Sequence, residues 1–208
     1  MADDVARIDP TPLSLECLGL TAGGHHVPPF QLHTGEAVCL HVEPASPSWY
    51  DVLLPLLTGR VSHPRLLIRG TVSYLERPMP RRGWFGRRKD CTARDWLISE
   101  RGLAPAEAVP VLDRASVPPE MKIGWLGWNE RTLFALESYL VRPPDILVFD
   151  TAGNDPLGIR RLFDRLATRP RRLAVIYLKT NLGTASPCYP GKGCLDIAAR
   201  PLEIASVE

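Results

Sequence analysis

The segment from Ile146 to Leu178 constrains the fold of this 208-residue chain more than any other part of the sequence. It begins with the apolar run Ile146 to Asp150 and ends with a second one, Leu173 to Leu178. Between them, Asp155 and Pro156 are typical of a helix N-cap and first helical turn, and apolar residues then repeat at helical spacing. A strand, a helix and a second strand of these lengths predict a right-handed crossover in a parallel sheet.

Other apolar runs extend this pattern to an α/β fold. We expect strands at 37–42, 66–68 and 71–75, the last two separated by an Arg69-Gly70 turn, and a short strand or two in the tail from 195 to 208. Helices are expected at 52–57, interrupted by Pro55, and at 92–101, 105–112 and 129–141. The 21 prolines exclude a coiled coil or a long helical bundle. The sequence therefore predicts one domain, a mostly parallel sheet with helices on both faces and an antiparallel flank.

Composition excludes several classes of function. A net charge of +2 is too small for a surface devoted to polyanions. The acidic N-terminus is not typical of a secretory signal, and no apolar run is long enough for a membrane span. An odd number of cysteines, five, favours free thiols in the cytoplasm, although Cys188 and Cys194 could chelate or cross-link rather than be two loop cysteines. No metal site is predicted, because the nearest cluster matches no known ligand spacing (His25, His26, His33, Cys39, His41).

The order of the pieces resembles a known family. Residues 126–131, the helix through Leu140 and the strand 143–150 resemble the signature motif, its helix and the Walker B strand of ATP-binding-cassette (ABC) ATPase domains. Residues 32–40 resemble the turn and strand that lead into the phosphate loop, and 70–76 the strand before the glutamine-bearing loop. Residues 154–156 match the end of the aspartate loop. The resemblance covers about residues 13–182 and lies in order and spacing.

The resemblance implies a P-loop NTPase-like fold of the ABC ATPase type. It places residues 1–208 in a single degenerate domain, with a mostly parallel sheet core at 13–76 and 142–208. A reduced helical subdomain is expected at 77–141. This subdomain carries a basic arm between Arg77 and Arg94, where seven basic residues stand against one acidic residue.

The phosphate-loop position lacks the residues that bind phosphate. Such a loop needs glycines so that successive backbone N–H groups can surround the phosphates, and a lysine that reaches them. Here residues 43–51 contain neither glycine nor lysine, and two prolines remove N–H donors. The bulky Trp49 or Tyr50 falls at the lysine position. We therefore expect no bound nucleotide cofactor.

The other chemical positions of the family are also altered. The glutamine falls at Glu76 or Arg77, the catalytic glutamate at Thr151, and the switch histidine at Lys179 or Thr180. The signature serine and glycines become Gly127, Trp128 and Asn129. Asp150 keeps the Walker B aspartate, which is expected to be vestigial and structural. Phosphoryl transfer depends on positioning and electrostatic stabilisation, so these losses predict a chain without catalytic residues.

Two surfaces are candidates for partner binding. The arm residues Arg81, Arg82, Trp84, Phe85, Arg87 and Arg88 follow the glutamine-loop position, where the resemblance implies contact with a membrane permease. Arginine and aromatic residues are typical interface anchors, although a solvated loop is the alternative. The altered signature and aspartate loop supply Trp128, Asn129, Asn154 and Asp155, on the face that meets the opposing subunit in this family.

Side-chain exposure adds two expectations. One of Trp125 and Trp128 is expected in the core, whereas exposure of both would form an interface patch. Arg160, Arg161 and Arg165, followed by Arg169, Arg171 and Arg172, are expected to form a solvated basic surface.

The sequence thus predicts a catalytically inactive ABC-ATPase-like subunit with a structural or regulatory role in a transporter complex. It would dock on a permease, on an active ATPase subunit, or on both, in the cytoplasm at the inner face of the membrane. One alternative is half of a heterodimeric ATPase that completes the partner's ATP site. A second, less favoured alternative is a nucleic-acid-binding module that uses the basic arm.

Overall fold

A computed structural model describes residues 12–42, 48–82, 88–180 and 199–206. The strands are β1 (Leu13–Cys17), β2 (Leu20–Ala22), β3 (His25–Val27), β4 (Phe30–His33), β5 (Ala37–Val42), β6 (Leu66–Ile68), β7 (Val72–Tyr74), β8 (Arg81–Arg82), β9 (Arg88–Lys89), β10 (Ile146–Asp150), β11 (Ala174–Thr180) and β12 (Ala199–Ser206). The helices are α1 (Ser48–Leu57), α2 (Ala93–Ser99), α3 (Pro105–Ala115), α4 (Trp128–Val141) and α5 (Pro156–Ala167), with a 3-10 turn at Ile123–Trp125.

The main sheet has the strand order β2-β3-β12-β5-β11-β10-β7. Five neighbouring strands, from β12 to β7, pair in parallel, and β3 joins β12 antiparallel. The predicted unit of β10, α5 and β11 is confirmed, because β10 and β11 are adjacent and parallel over their lengths. The mostly parallel sheet is also confirmed. The chain tail contributes the eight-residue β12 beside β5, in the interior of the sheet.

The predicted antiparallel flank is a separate sheet with the order β4-β1-β6. The Arg69-Gly70 turn leads from β6 in this flank to β7 in the main sheet. Gly70 has a φ of +92°, and a Cβ atom there would lie 2.5 Å from the Asp145 carboxylate. Asp145 accepts hydrogen bonds from the Thr71 N–H at 2.7 Å and the Thr71 hydroxyl at 2.9 Å. The turn is therefore fixed to the residue that precedes β10.

Apolar side chains alternate between the two faces of the main sheet and produce two cores. On one face, Val148 and Ile176 belong to a cluster with the leucines of α1 and residues of the antiparallel flank. On the other face, Leu147 and Val175 belong to a cluster with apolar residues of α4 and α5. Since Asp150 follows Val148 by two residues, its side chain points toward the α1 face.

The helical segment between β9 and β10 has a core of its own, formed by α2, α3, the 3-10 turn and Phe134 of α4. Thr92 caps α2 through its hydroxyl, which accepts from the Asp95 N–H at 3.1 Å. Helix α4 packs against both α3 and α5. It therefore connects the helical segment to the sheet, and its N-terminal end lies next to the candidate site.

The predicted interruption at Pro55 is wrong. Helix α1 continues through this proline and ends two residues later, at Leu57. Proline removes one backbone hydrogen bond, and the apolar burial of Leu53, Leu54, Leu56 and Leu57 stabilises the helix despite that loss. Within the described part of the chain, no helix combines the length and the hydropathy that a membrane crossing needs.

Candidate functional site

The candidate site lies where the parallel strands of the main sheet end. Ligands of open α/β sheets bind outside the carboxyl ends of the strands, since the loops that follow them meet there. Asp150 is the last residue of β10, Tyr74 is the last residue of β7, and the two strands pair directly. Asp150 is 3% exposed, so its carboxylate requires partners inside the protein.

Protein donors surround the Asp150 carboxylate. Oδ1 accepts from Arg77 Nη2 at 2.8 Å and from the Ala152 N–H at 2.7 Å. Oδ2 accepts from the Tyr74 hydroxyl. A carboxylate that accepts three such bonds, one of them from a guanidinium, is well compensated for its burial. The expectation that Asp150 is a structural carboxylate agrees with this arrangement.

Arg77 connects Asp150 to helix α4. Its Nη2 also donates to the Asp150 carbonyl oxygen at 2.8 Å, and its Nε donates to Thr132 Oγ1 at 3.0 Å. The guanidinium carbon lies 5.3 Å from the centre of the Trp128 ring, in a cation–π contact. The planar fork of arginine suits this simultaneous contact with a sheet, a helix and a ring, which a lysine could not make.

Tyr74 is held in its neutral form. Burial raises the pKa of its hydroxyl well above the usual range, and the neighbouring Asp150 charge and hydrogen bond raise it further. Tyr50, from the first turn of α1, packs edge-on against Tyr74 with the ring centres 5.9 Å apart. The Tyr50 ring thus lies at the sheet edge, beside the residue that holds Asp150. The Trp49 side chain lies outside the described residues.

Trp128 fixes the loop that follows β10. Its Nε1 donates to the carbonyl oxygen of Ala152 at 2.6 Å. Gly153 has a φ of +77°, and a Cβ atom there would lie 2.4 Å from Trp128 Nε1. Glycine is therefore required where the loop passes over the indole. Thr151, which the resemblance puts at the catalytic glutamate, has its hydroxyl 3.2 Å from that of Tyr177.

The start of α5 lies against the start of α4. Asp155 caps α5 by accepting from the Gly158 N–H at 2.8 Å, as the sequence predicts. Asn129 Oδ1 accepts from the Asp155 N–H at 3.1 Å, and Asn154 Oδ1 lies 3.1 Å from the Thr132 hydroxyl. The Gly158 hydrogen bond, followed by the Asn129 contact, lowers the pKa of the Asp155 carboxyl. The structure thus brings together Trp128, Asn129, Asn154 and Asp155.

Trp125 and Trp128 are both at the surface, 77% and 38% exposed, so the expectation that one lies in the core is wrong. The Trp128 N–H is bound to the Ala152 carbonyl oxygen and its ring lies against Arg77, whereas Trp125 belongs to the 3-10 turn before α4. Leu157, in the first turn of α5, is also exposed. We call Trp125, Trp128 and Leu157 the tryptophan face.

The basic arm is only partly described. Arg81 and Arg82 pair with Arg88 and Lys89 in a short antiparallel ladder, β8 with β9. The side chains of these residues, and the whole of Trp84, Phe85 and Arg87, lie outside the described residues. The predicted role of the arm therefore stays a prediction.

Two arginines of the predicted solvated surface are bound instead. Arg165 Nε donates to Glu137 Oε1, and its Nη2 donates to Glu137 Oε2 at 3.2 Å. Arg169 donates to three backbone carbonyls, among them that of Gly35 at 2.8 Å. The expectation is wrong for these two because Glu137 is buried and requires a cation, and because the Arg169 guanidinium donates to backbone carbonyls.

Comparison with known proteins identifies the fold. No model of a known protein family matches the chain, and no curated protein sequence matches it. An ATP-binding cassette of an ABC transporter in its ADP conformation matches in structure, with a TM-score of 0.59 and 15% identity over 84% of this chain and 83% of that one. CbiO1 from Clostridium perfringens, part of the ABC transporter complex cbiONQ, matches with a TM-score of 0.56 and 14% identity over 80% and 78%.

A third match is longer than this chain. An RNase-L inhibitor matches with a TM-score of 0.52 and 16% identity, over 83% of this chain but 35% of its own length. At identities this low the likeness concerns the fold alone. The chain therefore has the fold of an ABC ATP-binding cassette, and the fold class that the sequence predicts is confirmed.

Magnesium, which this fold implies together with ATP, does not fit the residues at Asp150. In P-loop NTPases the Walker B aspartate helps to hold the ion. Here the Arg77 guanidinium is bound to Asp150 Oδ1, and Tyr74 donates to Oδ2, so an ion would have to displace a positive charge. In the described part of the chain, no group of three His, Cys, Asp or Glu side chains could hold a metal ion, and Cys17 and Cys91 are free thiols.

Sequence reasoning missed the contact between Arg77 and Asp150. It gave Glu76 or Arg77 as the glutamine position and Asp150 as the retained Walker B aspartate, and it did not connect the two. The available signal was the pair of opposite charges, because the resemblance places one candidate for the glutamine position, Arg77, at the same site as the Asp150 carboxylate. The Glu137 contacts gave no comparable signal, because a glutamate within an amphipathic helix is usually exposed.

Proposed function

We propose that this chain is a non-hydrolysing subunit with the ABC cassette fold, which acts by binding in a membrane transporter complex. The observation that carries the proposal is the Asp150 carboxylate, whose oxygens are bound by Arg77, Tyr74 and the Ala152 N–H. The absence of glycine and lysine from residues 43–51 of the sequence supports it independently.

Nucleotide binding tests this part of the proposal. Isothermal titration of the purified chain with ATP and magnesium is expected to give no binding heat at millimolar nucleotide. An intact ABC ATPase domain, titrated in the same buffer, serves as the positive control. Magnesium-dependent ATP binding in the micromolar range would overturn the proposal.

The tryptophan face supports a protein partner. Three large apolar side chains are exposed where α4 and α5 begin, and tryptophan is the most enriched residue in the centres of interfaces. Trp128 Nε1 donates to the Ala152 carbonyl oxygen, Asn129 Oδ1 accepts from the Asp155 N–H, and Asp155 accepts from the Gly158 N–H. The face is thus preformed, which lowers the entropy cost of binding. The partner is a permease or an active ATPase subunit, and the chain lies in the cytoplasm at the membrane.

Binding to native membranes tests the partner. The wild-type chain is expected to sediment with membranes of the cells that express it, and not with the same membranes after protease treatment, because the partner is a protein. Trp125→Ser is expected to reduce sedimentation at least tenfold, since Trp125 is 77% exposed and contributes little to the fold. Leu67→Ser, which removes an exposed side chain from the antiparallel flank, is the matched control. Equal sedimentation of both variants would exclude the tryptophan face.

A further inference from the structure

The Arg77 guanidinium lies among oxygen atoms of two separate elements. It donates to Oδ1 and to the carbonyl oxygen of Asp150, each at 2.8 Å, and to the hydroxyl oxygen of Thr132 at 3.0 Å. Asn154 Oδ1 lies 3.1 Å from that hydroxyl. The side chains of Arg77 and Asp150 are only 10% and 2% exposed, so the group is largely removed from water.

The chemistry of these oxygens is that of a site for a hard cation. Carboxylate, backbone carbonyl, hydroxyl and amide oxygens are the ligands that magnesium, calcium and manganese prefer. In this chain the positive charge beside them is covalently attached. We infer that the Arg77 guanidinium acts as a built-in cation, which holds the place of a divalent ion beside Asp150 and makes the site independent of metal.

The consequence of a built-in cation is a permanent connection between sheet and helices. Through Arg77, the end of β10 is bound to α4 at Thr132, and the ring of Trp128 packs over the same guanidinium. An ion that arrives and leaves could loosen these contacts, whereas an arginine side chain cannot leave. The arrangement of Trp128 and of the loop at Ala152 is therefore constitutive. This inference would stand even if the chain had no transporter partner.

Manganese, used alone without nucleotide, tests the inference. Electron paramagnetic resonance measures the concentration of free Mn²⁺ during a titration of each protein. The wild type and Asp150→Asn are expected to bind the same amount of Mn²⁺, because the wild type has no manganese site that depends on Asp150. Arg77→Ala exposes the oxygens and is expected to gain one Mn²⁺ site with a Kd of roughly 1 mM or tighter. Its melting temperature is expected to rise with Mn²⁺. Arg94→Ala removes an exposed arginine of the same charge from α2 and is expected to gain no site.

Each outcome of these titrations either supports or overturns the inference about Arg77. A manganese site in the wild type that Asp150→Asn abolishes would overturn the inference, because the ion would then reach Asp150 past Arg77. Equal binding by Arg77→Ala and by the double variant Arg77→Ala/Asp150→Asn would also overturn it. If Arg77→Ala does not fold alone, recovery of its fold by Mn²⁺ supports the inference and failure to recover contradicts it. None of these measurements involves ATP or a partner, so they are separate from the tests of the proposed function.

Discussion

Glu137 of α4 connects three helices through a buried carboxylate. Its side chain is 1% exposed and accepts from Arg114 Nε of α3 at 2.7 Å and from the Arg165 guanidinium of α5. The two arginine side chains are 42% and 27% exposed. The carboxylate therefore cannot reach water, whereas both arginines can. This difference predicts that the removal of Arg165, the less exposed of the two cations, costs more than the removal of the Glu137 anion.

The comparison of Arg165→Met with Glu137→Met tests this asymmetry. Arg165→Met leaves a buried carboxylate with one partially solvated cation and is expected to lower the free energy of unfolding by about 3 kcal/mol. Glu137→Met leaves two arginines that can turn into solvent, and we expect a loss of about 1 kcal/mol. Arg114→Met is expected to cost about 1 kcal/mol or less, because Arg114 is more exposed and its charge is better screened. Methionine suits helices at all three positions.

Urea unfolding followed by circular dichroism measures these differences. The slopes of the unfolding free energy against urea should agree among the variants, so that shifts in midpoint report stability alone. The double variant Glu137→Met/Arg165→Met is expected to be more stable than Arg165→Met, because it also removes the buried carboxylate that Arg165→Met leaves without its closest cation. If Glu137→Met costs as much as Arg165→Met, or if the double variant is the least stable, the argument from exposure is refuted.

Two further predictions concern the candidate site. Tyr74→Phe is expected to have a lower free energy of unfolding than the wild type at pH 8. This difference between the two free energies should narrow above the ordinary tyrosine pKa of 10.0, by about 1.4 kcal/mol per pH unit. The reason is that Tyr74 then loses its proton in the unfolded wild type but keeps it in the folded one. Urea unfolding between pH 8 and 11 measures this gap, and a constant gap would contradict it. Gly153→Ala is expected to cost about 1–3 kcal/mol and to shift tryptophan fluorescence, since its Cβ would meet Trp128 at a positive φ. Ala152→Gly is the control, and unchanged fluorescence in Gly153→Ala would contradict the contact.

The local pattern of the sequence determined the elements that surround the site. The strand at 146–150, the N-cap at Asp155 and the helix from residue 129 could be predicted because burial and capping leave periodic signals in adjacent residues. The fold class followed from the order of these elements. The sequence also shows that residues 43–51 contain neither glycine nor lysine, because this statement depends on residue types alone.

Only the tertiary structure decided which side chains meet. Arg77 and Asp150 are 73 residues apart, and Arg165 and Glu137 are 28 apart. Sequence periodicity reports the burial of one face, and it carries no information about which charge on another element will lie opposite. For the same reason the Arg69-Gly70 turn, which reads as a link between two neighbouring strands, joins two different sheets. Contacts between distant elements depend on packing, and packing placed the Arg77 guanidinium against the Asp150 carboxylate.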